Sequence, residues 1–205
     1  MDLRLKAGSS FIVAGPSMSG KTTWVINLIK VKDEIFDNPP TQVFWYYKEW
    51  SPQLVEIRQM ATVKEGLPIV QDLVPNSMII IDDLMIEGQN SEEMTNMFTK
   101  HVHHMNLILV NIVHNFYQKG EQRTRSLNAQ YLVLFKNVRD ASSIAVLARQ
   151  MFPRNANYMI SAYENATSMP HGYLFVDMRQ ETPIELRVRT SLFFEHGPLA
   201  TYKPR

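Results

Sequence analysis

At 205 residues and 45% hydrophobic composition, the chain is long enough for one domain with a sizeable core. Its formal net charge is only +1, so contact with a nucleic acid or an anionic surface has to come from a local patch and not from a global field. The absence of cysteine excludes a disulfide framework and any thiolate metal site. The first ten residues, MDLRLKAGSS, hold no apolar run of the signal-peptide kind. No stretch approaches the roughly eighteen apolar residues of a membrane span, so neither feature is expected. The 12 methionines follow no regular spacing and read as core filler.

In chain order, SSFIVAG is short, β-branched and ends at Gly15, as a buried parallel strand does. AGPSMSGKTTW follows, and residues 21–33 carry Trp24, Ile26, Leu28, Ile29 and Val31 at helical spacing. PPTQVFWYYKEW places turn residues before an aromatic strand at 42–47, and SPQLVEIRQMA predicts a short helix with Ser51 as N-cap and Pro52 in its first position. PNSMIIIDDL opens with a turn and runs into another buried strand. SEEMTNMFTKHVHHM predicts a helix with Ser91 as cap and two glutamates in its first turn. NLILVNIVHN and AQYLVLFKN are further strands, and DASSIAVLARQMF and NYMISAYENA are helices. GYLFVDMR and TPIELRVRT close the chain as two antiparallel strands, because their connection is too short for a crossover. Strands alternating with helices predict an α/β fold: a mainly parallel central sheet covered on both faces, with antiparallel C-terminal strands.

Residues 15–22 match G-x-x-x-x-G-K-[ST], the phosphate-cradling P-loop, and sit between a predicted strand and a predicted helix as that motif requires. Backbone N–H groups of Gly15, Pro16 to Ser19 (PSMS), Gly20 and the first helical turn through Thr23 face the phosphates, proline itself having none to give. Ser17 and Met18 count among the cofactor-binding residues of that stretch. Lys21 reaches the β- and γ-phosphates, and the Thr22 hydroxyl ligates Mg2+. MIIIDD supplies the carboxylates: Asp82 for the metal shell and Asp83 as general base toward an attacking water. The strand LILVNIVHN ends in polar groups, and Asn111, His114 and Asn115 are candidates for a place beside the γ-phosphate. His114 and Asn115 are favoured because they lie past the apolar run, with helix-capping or turn roles as the competing explanation. His101, His103 and His104 lack metal-ligand spacing and fit a solvated helix face.

Phosphoryl transfer gains from a cation near the transition state. Arg123 and Arg125 fall in the polar stretch EQRTRSLNAQ, while Lys136 and Arg139 fall at a strand end in FKNVRDAS, and Arg149 lies further on. Arg123 is the favoured residue to act on a neighbouring subunit, and Arg139 stands second. Trp45, Tyr46, Tyr47 and Trp50 beside Lys48 offer base stacking, but strand aromatics more often fill a core.

GPSMSGKT, IIIDD, RTRSLNAQYLVLFKNVRD, LARQMFP and GYLFVD, in that order, resemble the genome-packaging ATPases of Polinton-like and adintovirus-type DNA viruses and elements, within the FtsK–HerA branch of RecA-like P-loop motors. The resemblance covers nearly the whole chain as one P-loop ATPase domain, and the run from Arg123 to Pro153 is its most specific part. It implies an ATP- and Mg2+-dependent translocase that assembles as a homo-oligomeric ring at a capsid vertex. Such a ring threads double-stranded DNA inward, in partnership with capsid proteins, at sites of virion assembly in the host nucleus or cytoplasm. Gly15, Gly20, Lys21 and Thr22 match its Walker A motif, and Asp82 and Asp83 its Walker B motif. Three positions depart from the family pattern. Asp-Asp stands where many relatives have Asp-Glu, His114–Asn115 where glutamine is usual, and Val138 where Asn-Pro-Arg-Asp has proline; Arg139 is kept. A small-molecule P-loop kinase, with Arg123 and Arg125 in a lid, or another non-translocating P-loop ATPase is the competing reading. Stimulation of ATP hydrolysis by duplex DNA separates the motor from these.

Overall fold

The alternation of side chains along a strand decides which helices each strand can carry, and here both faces are apolar. A computed structural model describes residues 4–84, 89–116, 128–190, 192–193 and 200–203. Its strands are β1 (Ser9–Ala14), β2 (Gln42–Tyr47), β3 (Thr62–Glu65), β4 (Ser77–Asp82), β5 (Ile108–Val113), β6 (Tyr131–Phe135), β7 (Tyr173–Asp177), β8 (Val188–Thr190) and β9 (Ala200–Thr201). The helices are α1 (Lys21–Lys30), α2 (Lys32–Ile35), α3 (Leu54–Ile57), α4 (Gln89–Asn96), α5 (Val102–His104), α6 (Ala141–Met151) and α7 (Ala156–Ala166).

One nine-stranded sheet runs β3-β2-β4-β5-β1-β6-β7-β8-β9. The neighbours from β3 to β6 are all parallel, and β7, β8 and β9 add antiparallel. β1 is central and buried along its length. Phe11 and Val13 point to one face, where α1 packs Trp24, Val25, Leu28 and Ile29. Ile12 and Ala14 point to the other, where Met94, Met97, Phe98 and Val102 of the α4–α5 helix join Ile144, Leu147, Met159 and Ala162 of α6 and α7. The helical pair α6–α7 returns the chain, so β7 meets β6 antiparallel with Tyr131 opposite Asp177.

The predicted α/β architecture and the antiparallel pairing of the last two predicted strands are present. Several element bounds differ, each for a local reason. The helix expected over 21–33 breaks at Val31, which leaves helical geometry (φ −105°, ψ 13°) and starts α2. The helix expected over 51–61 shrinks to one turn, because i→i−3 bonds from Leu54 N to Ser51 O (3.0 Å) and Val55 N to Pro52 O (3.2 Å) tighten its start. Gln53, not Ser51, is its N-cap. β3 (TVKE) was not expected; it is an edge strand with no buried residue, so it carries no apolar run to read. α4 starts at Gln89, which puts Ser91 inside the helix and not at its cap. A π-turn at Met97–His101 then leads into α5. TPIELRVRT is a strand only over Val188–Thr190; Pro183 precedes a 3-10 turn at Ile184–Leu186. Trp45 and Tyr46 are core, while Trp50 is 61% exposed.

A charge cluster fastens the antiparallel flank at the end of the sheet opposite the P-loop. The Asp177 carboxylate is fully buried and accepts hydrogen bonds from Arg179 Nε (3.1 Å), Arg179 Nη2 (3.0 Å) and Arg189 Nη2 (2.9 Å). The Arg189 guanidinium lies over Phe175, and that of Arg179 over Tyr131.

Candidate active site

Residues 15–20 pass from the tip of β1 to the start of α1 in a bend that leaves no room for a side chain at Gly15. A Cβ on Gly15 would lie 2.7 Å from Phe135 Cβ and 2.7 Å from Ser19 Oγ. Gly20 caps α1 at φ 105°, a left-handed conformation that glycine adopts without strain. Gly15 N donates to Val113 O (3.2 Å), Ser19 N to Pro16 O (3.3 Å) and Trp24 N to Gly20 O (2.9 Å), so the loop is pinned to β5 and to its own helix. Ser17 and Met18 form the exposed tip, and Thr22 and Thr23 open the helix beside it.

Lys21 is buried at 8% exposure, and its Nζ donates to Gly15 O (2.7 Å) and Pro16 O (2.9 Å). Burial pushes its pKa down, and the charges of Asp83 and Asp82 push it back up. Asp82 ends β4 and Asp83 follows it in a left-handed conformation (φ 49°), tied to β5 by a bond from its N–H to Ile112 O (3.2 Å). Burial, reinforced by the negative charge of Asp83, pushes the Asp82 carboxyl up to about 6; the Trp45 indole N–H, Lys21 and His114 pull the other way. β5 separates β1 from β4 in the sheet, and its end puts His114 Nε2 2.6 Å from Asp83 Oδ2. The P-loop, the two aspartates and His114 therefore occupy the carboxyl ends of three adjacent parallel strands, where open α/β sheets hold their ligands.

Asn115 reaches across the end of β1 toward the end of β6. Its Oδ1 accepts from Asn137 Nδ2 (3.0 Å), and Asn137 Oδ1 accepts from Arg139 N (3.1 Å). The Asn137 amide donates to the Tyr163 hydroxyl (2.9 Å), which donates on to Phe135 O (3.0 Å). This chain ties the end of β5 to the end of β6 and fixes the backbone at Arg139, whose side chain is exposed. Asn111 is buried within β5 and is not at its tip. Arg123 and Arg125 lie outside the described residues. Lys136 and Arg149 are exposed, the latter at the far end of α6.

Sequence reading did not single out Asn137, Tyr163 or His171. Asn137 carries a local signal, a polar residue two positions past the apolar strand YLVLF. Tyr163 and His171 reach the site only through the return of the chain along α7, which no spacing encodes. His171 Nδ1 lies 3.1 Å from Ser19 O, and the two residues line a cleft of about 890 Å3 that also takes in Lys21 and Thr22.

The donor set suits a polyphosphate with a hard divalent cation. The cradle tolerates no Cβ at Gly15; among the described residues the buried Ser19 hydroxyl has no hydrogen-bond partner and Lys21 has only backbone carbonyls as acceptors. A hydroxyl (Thr22) and a carboxylate whose ionisation a nearby cation favours (Asp82) are oxygen ligands of the kind Mg2+ takes.

No protein-family model and no curated protein matches the chain. Its fold is similar to that of the genome packaging NTPase B204 from Sulfolobus turreted icosahedral virus 2. The complex of that protein with sulfate is 12% identical at a TM-score of 0.56, covering 96% of this chain and 97% of that one. Its complex with ATP-gammaS is 13% identical at a TM-score of 0.55, covering 100% and 99%. B204, the DNA-packaging ATPase from Sulfolobus Turreted Icosahedral Virus, is 12% identical at a TM-score of 0.55, covering 98% and 100%. At this identity the likeness is one of fold, and end to end the fold is that of a P-loop NTPase.

Proposed function

We propose that this chain is a Mg-ATP-hydrolysing motor of the viral genome-packaging kind, one P-loop ATPase domain that works in a homo-oligomeric ring on double-stranded DNA. The observation that carries the reading is the meeting of Lys21, Asp82, Asp83 and His114 at the carboxyl ends of β1, β4 and β5. The end-to-end fold similarity to packaging NTPases supports the packaging role. Thr22 and Asp82 would hold the magnesium ion, which when bound draws charge from the β- and γ-phosphate oxygens. Lys21 exchanges the Gly15 and Pro16 carbonyls for phosphate oxygens and neutralises charge there as the γ-phosphoryl departs. Asp83 orients the attacking water and takes its proton, and His114 holds the Asp83 carboxylate in line through its 2.6 Å contact. A cation from a neighbouring subunit, Arg123 first and Arg139 second, completes the charge stabilisation, an effect of about 10³-fold or more in rate.

Two experiments test the reading. ATP turnover measured with and without duplex DNA should rise with DNA of any sequence, and that stimulation should fall steeply with salt as phosphate contacts are screened. Turnover indifferent to DNA sinks the motor and favours a kinase. Mixing Lys21→Ala with Arg123→Ala chains should restore partial activity where an intact loop meets an intact arginine across a subunit boundary. No restoration moves the arginine into its own subunit.

A further inference from the structure

The order of the strands decides which way a nucleotide lies. β5 and β4, with His114, Asp82 and Asp83, flank β1 on one side, and β6 and β7 flank it on the other. None of those three side chains lines the 890 Å3 cleft. The cleft opens on the β6–β7 side instead, between α1, the start of β7 and the end of β8, with Trp24, Asn27, Tyr173 and Thr190 in its walls. Its volume is in the range that small-molecule and cofactor sites occupy, more than a phosphate chain needs. A nucleotide whose γ-phosphate reaches Asp83 therefore lays its sugar and base on this side.

The loop from α7 to β7 closes the cleft and is built to hold one residue in a costly conformation. Thr167 N and Oγ1 both donate to Tyr163 O (3.0 and 2.8 Å), and Gly172 N donates to Met169 O (3.0 Å). A Cβ on Gly172 would fall 2.4 Å from Ala166 O, so only glycine fits. Between these anchors His171 sits at φ 61°, a region where a side chain is strained and which structures retain where the surroundings enforce it. Its ring rests on the P-loop: a Cβ on Gly20 would lie 3.3 Å from Nδ1. Ser19 O can only accept, so Nδ1 carries the hydrogen of the 3.1 Å contact, and in that tautomer Nε2 is an acceptor. Among the described residues the ring has no other hydrogen-bond partner.

We infer that this cleft is the nucleoside subsite, in which His171 accepts a hydrogen bond from the sugar or an exocyclic amine while Asn27 and Thr190 supply further polar contacts. His171 is thereby also a positioning residue for the P-loop, through Ser19. The inference rests on the reading of the loop as a nucleotide site. It is tested by calorimetric titration of the full chain with ATP, ADP and tripolyphosphate, each with magnesium. Asn27→Ala, Thr190→Val and His171→Ala are compared with the parent, and thermal unfolding verifies that each variant folds. Asn27→Ala and Thr190→Val should each weaken ATP and ADP by about 3- to 10-fold, one lost hydrogen bond, and leave tripolyphosphate within about twofold. His171→Ala should weaken ATP and ADP more than tripolyphosphate. Equal losses for all three ligands, or no loss, overturn the subsite while leaving the P-loop reading intact. A parent chain that binds none of the three overturns both.

Discussion

The two ends of the sheet's strands treat an aspartate in opposite ways. At the end opposite the P-loop, Asp177 is fully buried, and two arginines of its own flank satisfy it with three side-chain hydrogen bonds and one from the Arg179 backbone N–H. At the P-loop end, Asp82 is half-buried beside a second carboxylate, and its proton is held up to about 6. Burial opposes ionisation at either end, but only the chain around Asp177 supplies the counter-charge in contact. A carboxylate partnered by its own chain fastens strands together, whereas one set against a like charge favours the arrival of a cation. The location of paired and unpaired charge thus separates the structural aspartate from the one the proposed function uses, within a single sheet.

Substitutions should break this contrast in opposite directions. Lys21→Ala should take ATP turnover down about 10³-fold or more while leaving the unfolding midpoint near that of the parent, because among the described residues its hydrogen bonds are to the loop's own carbonyls. Asp83→Asn should cost about 10²- to 10⁴-fold in kcat with nucleotide binding retained, read by comparing single-turnover rates with binding titrations. Asp177→Ala should do the reverse. It strands Arg189 in the interior and should lower unfolding stability by about 3–5 kcal/mol in denaturant titrations, with nucleotide affinity of the folded chain unchanged.

Asp82 gives a pH test. Its folded pKa is raised, so its contribution to stability is fully present below the ordinary carboxylate range. That contribution is lost as pH rises through about 6, a span of about 2–3 kcal/mol. Asp82→Asn should flatten that part of the stability profile, raise the melting temperature at neutral pH without nucleotide, and weaken Mg2+-dependent nucleotide binding. His114→Gln should have the smallest effect, less than about tenfold in kcat with KM unchanged, because glutamine keeps a donor near Asp83.

Much of this contrast was legible in the sequence, and unevenly so. G-x-x-x-x-G-K-T and IIIDD encode one face of the site through local spacing, since each motif sits wholly at the end of one strand. The parallel core was legible because its strands are buried on both faces and read as unbroken apolar runs. The Asp177 cluster was not, because its arginines arrive from the β7–β8 turn and from β8, and no periodicity links them to a carboxylate in YLFVD. Asn137 and His171 were missed for the same reason: what they touch lies across the fold, on α7, β5 and the P-loop. β3 escaped because an exposed edge carries no apolar signal.

The two bonds from Lys21 to Gly15 O and Pro16 O bear on how fast the site can be reused. The lysine has a berth within the loop it serves, so handing a phosphate over or taking one up is a swap of acceptors and not the stranding of a buried ammonium. Each swap shifts Nζ locally and leaves the loop's backbone bonds to Val113 and Gly20 in place. Filling and emptying the site therefore calls for no rebuilding of the loop's backbone bonds.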